Sequence, residues 1–311
     1  MLRLLIIFML IFSCITPVYA KQLLFNKRSV NGTTSFYYKW HDKYKKVQDL
    51  SFKLPTKTLR AAQSEFKPFD NRISNDYVYE RLKEYTKNHN DLKSKIKVKR
   101  VRLGFELEAE GTSQELMQQA MTELQELSKS AMDDYVEDHY YKYMDGRTIR
   151  PDHARIAHKY VSLMRPVAEA ISKKVNSKDP RDVVNYALSF VQAIPYDILK
   201  SRYFSNGAGF QVPYGLLMGN KGDCDTKSVA LAAILRNFYP RLRMMMVYVP
   251  DHAFVGLAFP AKGGDRTIRL DGTSFLLAEP VGPNQSPLGV VAERSLEQLS
   301  VNEFTYEEIP F

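Results

Sequence analysis

Cysteine is nearly absent from this chain: its 311 residues carry two, Cys14 and Cys224. That excludes a disulfide scaffold, and without a CxxC or HxxxH spacing it excludes the common structural zinc sites. Beyond the N-terminus no apolar run is long enough to span a membrane, so a polytopic membrane protein is excluded as well. Low-complexity tracts and internal repeats are missing. Hydrophobic residues make up 44% of the chain and charged residues 25%, which rules out disordered and collagen-like classes. What remains is a globular protein long enough for about two domains.

The N-terminus reads as an export signal. Arg3 supplies the positive start, Leu4 to Phe12 an unbroken apolar stretch, and Val18-Tyr19-Ala20 a small-x-small site for cleavage before Lys21. Lipidation at Cys14 is the weaker alternative, because bulky Phe12 stands where such signals prefer a small residue. The expected location is periplasmic or secreted. Cleavage leaves Cys224 as the one cysteine of the mature protein, in a compartment where structural cysteines normally pair. A lone cysteine there is inert and buried, bridges to another chain, or is reactive.

The chain divides into residues 1–20 (signal peptide), 21–148 (a mixed strand and helix region) and 149–311. Strands are expected at Thr33–Tyr38 and Val47–Leu54, and a helix at about Asn75–His89. Ile96, Val98, Val101, Leu103, Phe105 and Leu107 alternate with one slip, as in a bulged strand. Thr112-x-x-Glu115 predicts a capped helix over the Met117–Val136 apolar face. A further helix begins with Pro151, with Pro166 inside it, and another at Asp179-Pro180. Tyr203 to Asp223 reads as loop. A short apolar helix covers Val229–Leu235, followed by strands at Met244–Val249, Ala253–Phe259 and Thr267–Leu270. The turn at Gly263-Gly264 pairs the last two as a hairpin. Helices followed by an antiparallel sheet give an α+β class.

The formal charge is +9, which suits an envelope polyanion or anionic lipid. The basic run Lys93, Lys95, Lys97, Lys99, Arg100 and Arg102 has no interleaved aromatics and no nucleic-acid motif, so nucleic acid is not an expected partner. A solvated strand face is the better reading of that run.

Cys224 follows a glycine-bearing loop and opens the Val229 helix, where unpaired N–H groups and the helix dipole favour a thiolate. Asp223 and Asp225 oppose the anion unless they point away to cap the helix. Of six histidines, His41, His89, His139, His153 and His158 lie in polar or helical surroundings and read as surface residues. His252 opens an apolar strand beside a loop, where a base could face the thiol. A hairpin at Gly263-Gly264 brings Asp271 back towards the level of His252, where it could fix the imidazole tautomer.

Gly222-Asp223-Cys224-Asp225-x-Lys227-Ser228, Asp251-His252-Ala253-x-Val255-Gly256 and Leu270-Asp271-Gly272-Thr273 together resemble the transglutaminase-like superfamily. The closest resemblance is to the bacterial transglutaminase-like cysteine peptidases. Val191-Gln192-Ala193-Ile194-Pro195-Tyr196 and Gln211-x-Pro213 resemble that group's approach to the cysteine loop. The likeness spans Asp179 to Pro280. It implies a papain/transglutaminase-like core of helices packed on an antiparallel sheet. It further implies Cys224 as nucleophile, His252 as base and then acid, Asp271 as orienter, and acylation through a thioester. The Cys224 N–H and the Gln211 side chain, or that of Gln192, are the candidate oxyanion donors. The implied substrate is a protein or peptide, and no cofactor is expected. Adhesin-cleaving members bind calcium through acidic residues around the nucleophile, but Lys227 within this segment would repel a cation. Three other functions compete with hydrolysis. They are transfer to a lysine amine, a binding module with a vestigial triad, and a metal site on Cys224 and His252, for which one thiolate and one imidazole are a poor ligand set.

Overall fold

A computed structural model of the chain describes residues 22–88, 95–102, 104–110, 113–146, 148–200, 209–282 and 285–311. The expected signal peptide, Cys14, Thr112 and the start of the glycine-rich loop lie outside them. The class is α+β: nine helices among the described residues and several antiparallel sheets, including a curled five-stranded half-barrel.

The chain starts with a three-stranded sheet, β1 (Gln22–Val30), β2 (Thr33–His41) and β3 (Val47–Pro55). Strand β2 alternates half-buried and buried positions, so Phe36, Tyr38 and Trp40 share one face. That face closes on α6 (Pro180–Ala193), whose start follows the expected Asp179 cap and Pro180. Tyr38 meets Phe190 edge-to-face at 5.0 Å, and Trp40 Nε1 donates to Ser189 Oγ at 2.9 Å. Burying each such ring contributes roughly 1.5–3 kcal/mol. These residues belong to the same core as the C-terminal helices. After α1 (Thr56–Glu65) comes a satellite with its own small core: α2 (Asn71–Asn88), β4 (Lys95–Val101), β5 (Gly104–Glu110) and α3 (Gln114–Asp138), closing on Val78, Leu82, Leu124 and Ala131.

Several local expectations need correcting. The single bulged strand is a hairpin, β4 with β5; the slip in its apolar period is a chain reversal. Gly104, at φ +146°, takes a conformation that L side chains rarely adopt. The reversal pairs a basic strand with an acidic one: Lys97 bonds Glu110 at 3.0 Å and Lys99 bonds Glu108. The cap of α3 is Ser113, whose side chain accepts from the Leu116 N–H. Pro151 ends β7 (Ile149–Pro151), which pairs with β6 (Tyr141–Tyr143). Asp152 caps α4 (His153–Lys159), and the helix is interrupted at Tyr160 before α5 (Val161–Ser172). The glycine-rich loop contains α7 (Pro213–Gly219), with Pro213 at its start.

Helix α8 (Cys224–Phe238) is the centre of the molecule: every residue from Thr226 to Arg236 is buried. Strands β8 (Met244–Val249), β9 (His252–Leu257), β10 (Thr267–Leu270), β11 (Thr273–Ala278) and β12 (Thr305–Glu308) form the half-barrel in the order β10-β11-β9-β8-β12. One face, with Met246, Ala253 and Val255, packs on α8. The other face, with Met245, Val247, Phe254 and Leu277, is covered in part by Leu296 and Leu299 of α9 (Glu293–Ser300). Cover on both faces explains why β8 is a continuous apolar run. The expected pairing of β9 with β10 does not occur. Strand β11 lies between them, hydrogen-bonded to both.

Candidate functional site

The loop before Cys224 is held from three sides. Asn220 takes a left-handed conformation after α7, and its amide exchanges hydrogen bonds with Gln22 of β1 at 2.7 and 2.9 Å. Lys221 pairs with Asp197 at 2.9 Å. Gly222 bridges to Tyr196, accepting from the Asp197 N–H at 3.1 Å. A larger residue at Gly222 forces its neighbours to shift: a Cβ there would stand 2.8 Å from Leu216 and 2.8 Å from Thr226. Asp223 then caps α8, accepting from the Thr226 N–H at 2.9 Å. Cys224 is thus the first residue of the helix, half-buried.

The start of α8 abuts the start of β9. Ser228 Oγ donates to the Ala253 carbonyl at 3.2 Å, and the Ala253 N–H acts on the Cys224 thiol in favour of its thiolate. His252 therefore stands next in sequence to the residue that Ser228 of α8 binds. Its Nε2 lies 2.7 Å from Glu279 Oε1. The other Glu279 oxygen accepts from the Ala292 N–H at 2.6 Å, and its carbonyl accepts from Gln192 Nε2 at 2.8 Å. The carboxylate is fixed from two directions. With Nε2 committed to Glu279, Nδ1 is the nitrogen left for a thiol proton.

Asp271 is not the partner of His252. It occupies the tight β10–β11 turn, exposed and at φ +47°. The registers Leu257↔Leu276 and Thr267↔Leu276 put it about nine residues beyond His252 along the sheet, on the order of 30 Å at ~3.3 Å per residue. The strand that returns to His252 is β11. Its pairing Val255↔Ala278 carries Glu279 to a diagonal position. A carboxylate closing the fully buried run Phe275 to Ala278 was the available signal.

Gln211 is buried, and its backbone N–H donates to Thr226 Oγ1 at 2.9 Å, within the first turn of α8. Its side chain packs on Gly215 of α7. Gln192 is committed elsewhere, donating to the carbonyls of Glu279 and Ser286. His153 is not a surface residue: it is 3% exposed, and its Nε2 lies 3.9 Å from Asp225 Oδ2. The aspartates divide their roles. Asp223 caps the helix, whereas Asp225 faces Cys224 Sγ at 3.9 Å and His153.

Charge around the sulfur works against ionisation at rest. Burial, then Asp225 and Asp223, push the Cys224 thiol up, and the N–H groups of Ala253 and Asp225 pull it down. Burial and Asp225 push Asp223 up to about 7. Lys227 is fully buried, bonded to the Ile194 carbonyl, and burial pushes it down to about 7 against the pull of Asp223. The donor set does not fit calcium. Asp223 is spent on the helix cap, Lys227 lies beneath it, and among the described residues no group of three or more acidic, His or Cys side chains is arranged around a metal.

No protein-family model matches the chain, and no curated protein or solved structure matches it. Among the described residues no helix is long and apolar enough to cross a membrane.

Proposed function

We propose that the protein is an exported cysteine peptidase or amidase with a papain/transglutaminase-like core, acting on a protein or peptide through Cys224, His252 and Glu279. The observation that carries this reading is the part-buried His252–Glu279 contact of 2.7 Å beside the helix start that bears Cys224. Glu279 holds the imidazole with Nδ1 towards the thiol and stabilises the imidazolium that forms. Nδ1 takes the thiol proton, and the sulfur attacks the acyl carbon. The Cys224 N–H at the helix start is placed to donate to the developing oxyanion, an interaction worth a few kcal/mol. Collapse to the thioester returns the proton from His252 to the leaving amine. Water, deprotonated by the same imidazole, then releases the acid and regenerates the thiol.

The test is iodoacetamide labelling of the mature protein across pH, with His252→Ala beside the wild type. It is followed by incubation of a labelled glutamine peptide, with and without a fluorescent primary amine. The reading expects labelling that depends on His252 and peptide products carrying a free acid. Labelling indifferent to His252 would overturn the Cys–His pair. Incorporation of the amine in place of hydrolysis would replace hydrolysis by transfer.

A further inference from the structure

A second histidine reaches the carboxylate beside Cys224, and its own hydrogen bonds fix its protonation pattern. His153 opens α4 and packs between the rings of Phe210 (centroids 4.6 Å) and Tyr248 (5.8 Å). Its Nδ1 lies 3.2 Å from the Tyr248 hydroxyl, which lies 3.2 Å from Glu307 Oε2. Glu307, ion-paired with Arg150 and with Lys142, is an acceptor only. The phenol has one proton and gives it to Glu307, so it accepts from His153 Nδ1–H. A neutral His153 then carries its lone pair on Nε2. That nitrogen is buried, has no hydrogen-bond partner, and faces Asp225 Oδ2 at 3.9 Å. Two acceptors face each other beside a thiol that lies 3.9 Å from the other oxygen of the same carboxylate.

We propose that His153 is a positioning residue for the nucleophile: a proton taken up at Nε2 draws the Asp225 carboxylate into an imidazolium–carboxylate contact and cancels the charge that opposes the Cys224 thiolate. This rests on Cys224 being the nucleophile, but not on which acyl group it attacks. Burial lowers the affinity of His153 for that proton, and Arg150 and Lys142 act in the same sense; Asp225 and Asp152 oppose them. By reciprocity, a proton on His153 that favours the thiolate is itself favoured by the thiolate. Burial thus keeps His153 neutral near pH 7, and it takes up a proton only on the acid side of the ordinary histidine range.

Second-order alkylation of Cys224 by iodoacetamide reads this without a substrate. Asp225→Asn, at a partly exposed site, removes the opposing charge. It is expected to raise the rate about tenfold at pH 8.5, where His153 is neutral, and by a factor that shrinks as the pH is lowered through the titration of His153. His153→Gln is expected to slow alkylation up to about tenfold at the acid end of that profile, with little change at pH 8.5, and to have no effect at either end in the Asp225→Asn background. An Asp225→Asn effect that is the same at every pH of the profile overturns the proposal, whether or not His153→Gln folds. A His153→Gln loss that is uniform with pH, or that persists in the double variant with Asp225→Asn, also overturns it. Failure of the Cys–His reading is separate: it appears as indifference to His252→Ala.

Discussion

Replacing Glu279 by Gln tests the partner of His252 directly. The change conserves shape but turns one carboxylate oxygen into an N–H donor. Glu279 currently accepts twice, from His252 Nε2 at 2.7 Å and from the Ala292 N–H at 2.6 Å. A glutamine amide can satisfy only one of the two. In one orientation its NH₂ faces the Ala292 N–H, and in the other it faces the imidazole and turns the tautomer so that Nδ1 carries the proton. Either way the reaction loses a charge-assisted hydrogen bond to the imidazolium, worth about 1.5–3 kcal/mol. At ~1.4 kcal/mol per decade that is about 10- to 150-fold in the rate of thiolate alkylation near neutral pH. The assay is the rate of iodoacetamide labelling against pH, with unfolding midpoints to confirm that the variant is folded. Asp271→Asn is the matched control. Asparagine tolerates the left-handed turn that Asp271 occupies, so the rate is expected within about twofold of wild type, below the ~0.5 kcal/mol of an ordinary surface change. Glu279→Gln at the wild-type rate at every pH, or Asp271→Asn matching its loss, would refute the assignment.

Two further outcomes concern the scaffold under Cys224. Gly222→Ala places a methyl 2.8 Å from both Leu216 and Thr226 and is expected to cost about 1–3 kcal/mol by urea unfolding; Gly263→Ala, in open space, is expected to stay within about 0.5 kcal/mol. Lys227 is held down to about 7 when folded, against about 10.4 for a free lysine. Between those values the unfolded chain binds the proton that the folded chain has released, so this residue's contribution to stability rises with pH from about 7 upward. Lys227→Met is expected to flatten the rise between pH 7 and 9.5 in urea titrations, and an unchanged slope would show that the amine is not desolvated.

The helix starts at Asp179 and Asp223 were legible because a cap is local: a short acceptor followed at once by proline or by the apolar helix. Cys224 and His252 were legible because each opens its element. Strand order is not local. Nothing between Ala261 and Thr273 states whether Thr267–Leu270 turns back onto β9 or passes outside to let β11 in, and that choice selects Asp271 or Glu279. The decision lies in burial. Phe275, Leu276, Leu277 and Ala278 are buried without a break, and such a segment is costly at an edge, where Arg269 of β10 can remain in water. The apolar strand therefore takes the inner position and the mixed strand the edge. His153 was misread for the same reason in reverse. Its neighbours Asp152, Arg155 and His158 look like a solvated helix, and only the packing of Phe210 and Tyr248 around the ring, brought from far along the chain, takes it out of water. In both cases a polar side chain is fixed by apolar neighbours remote in sequence, so the charge chemistry of this site follows from which hydrophobic segments are buried together.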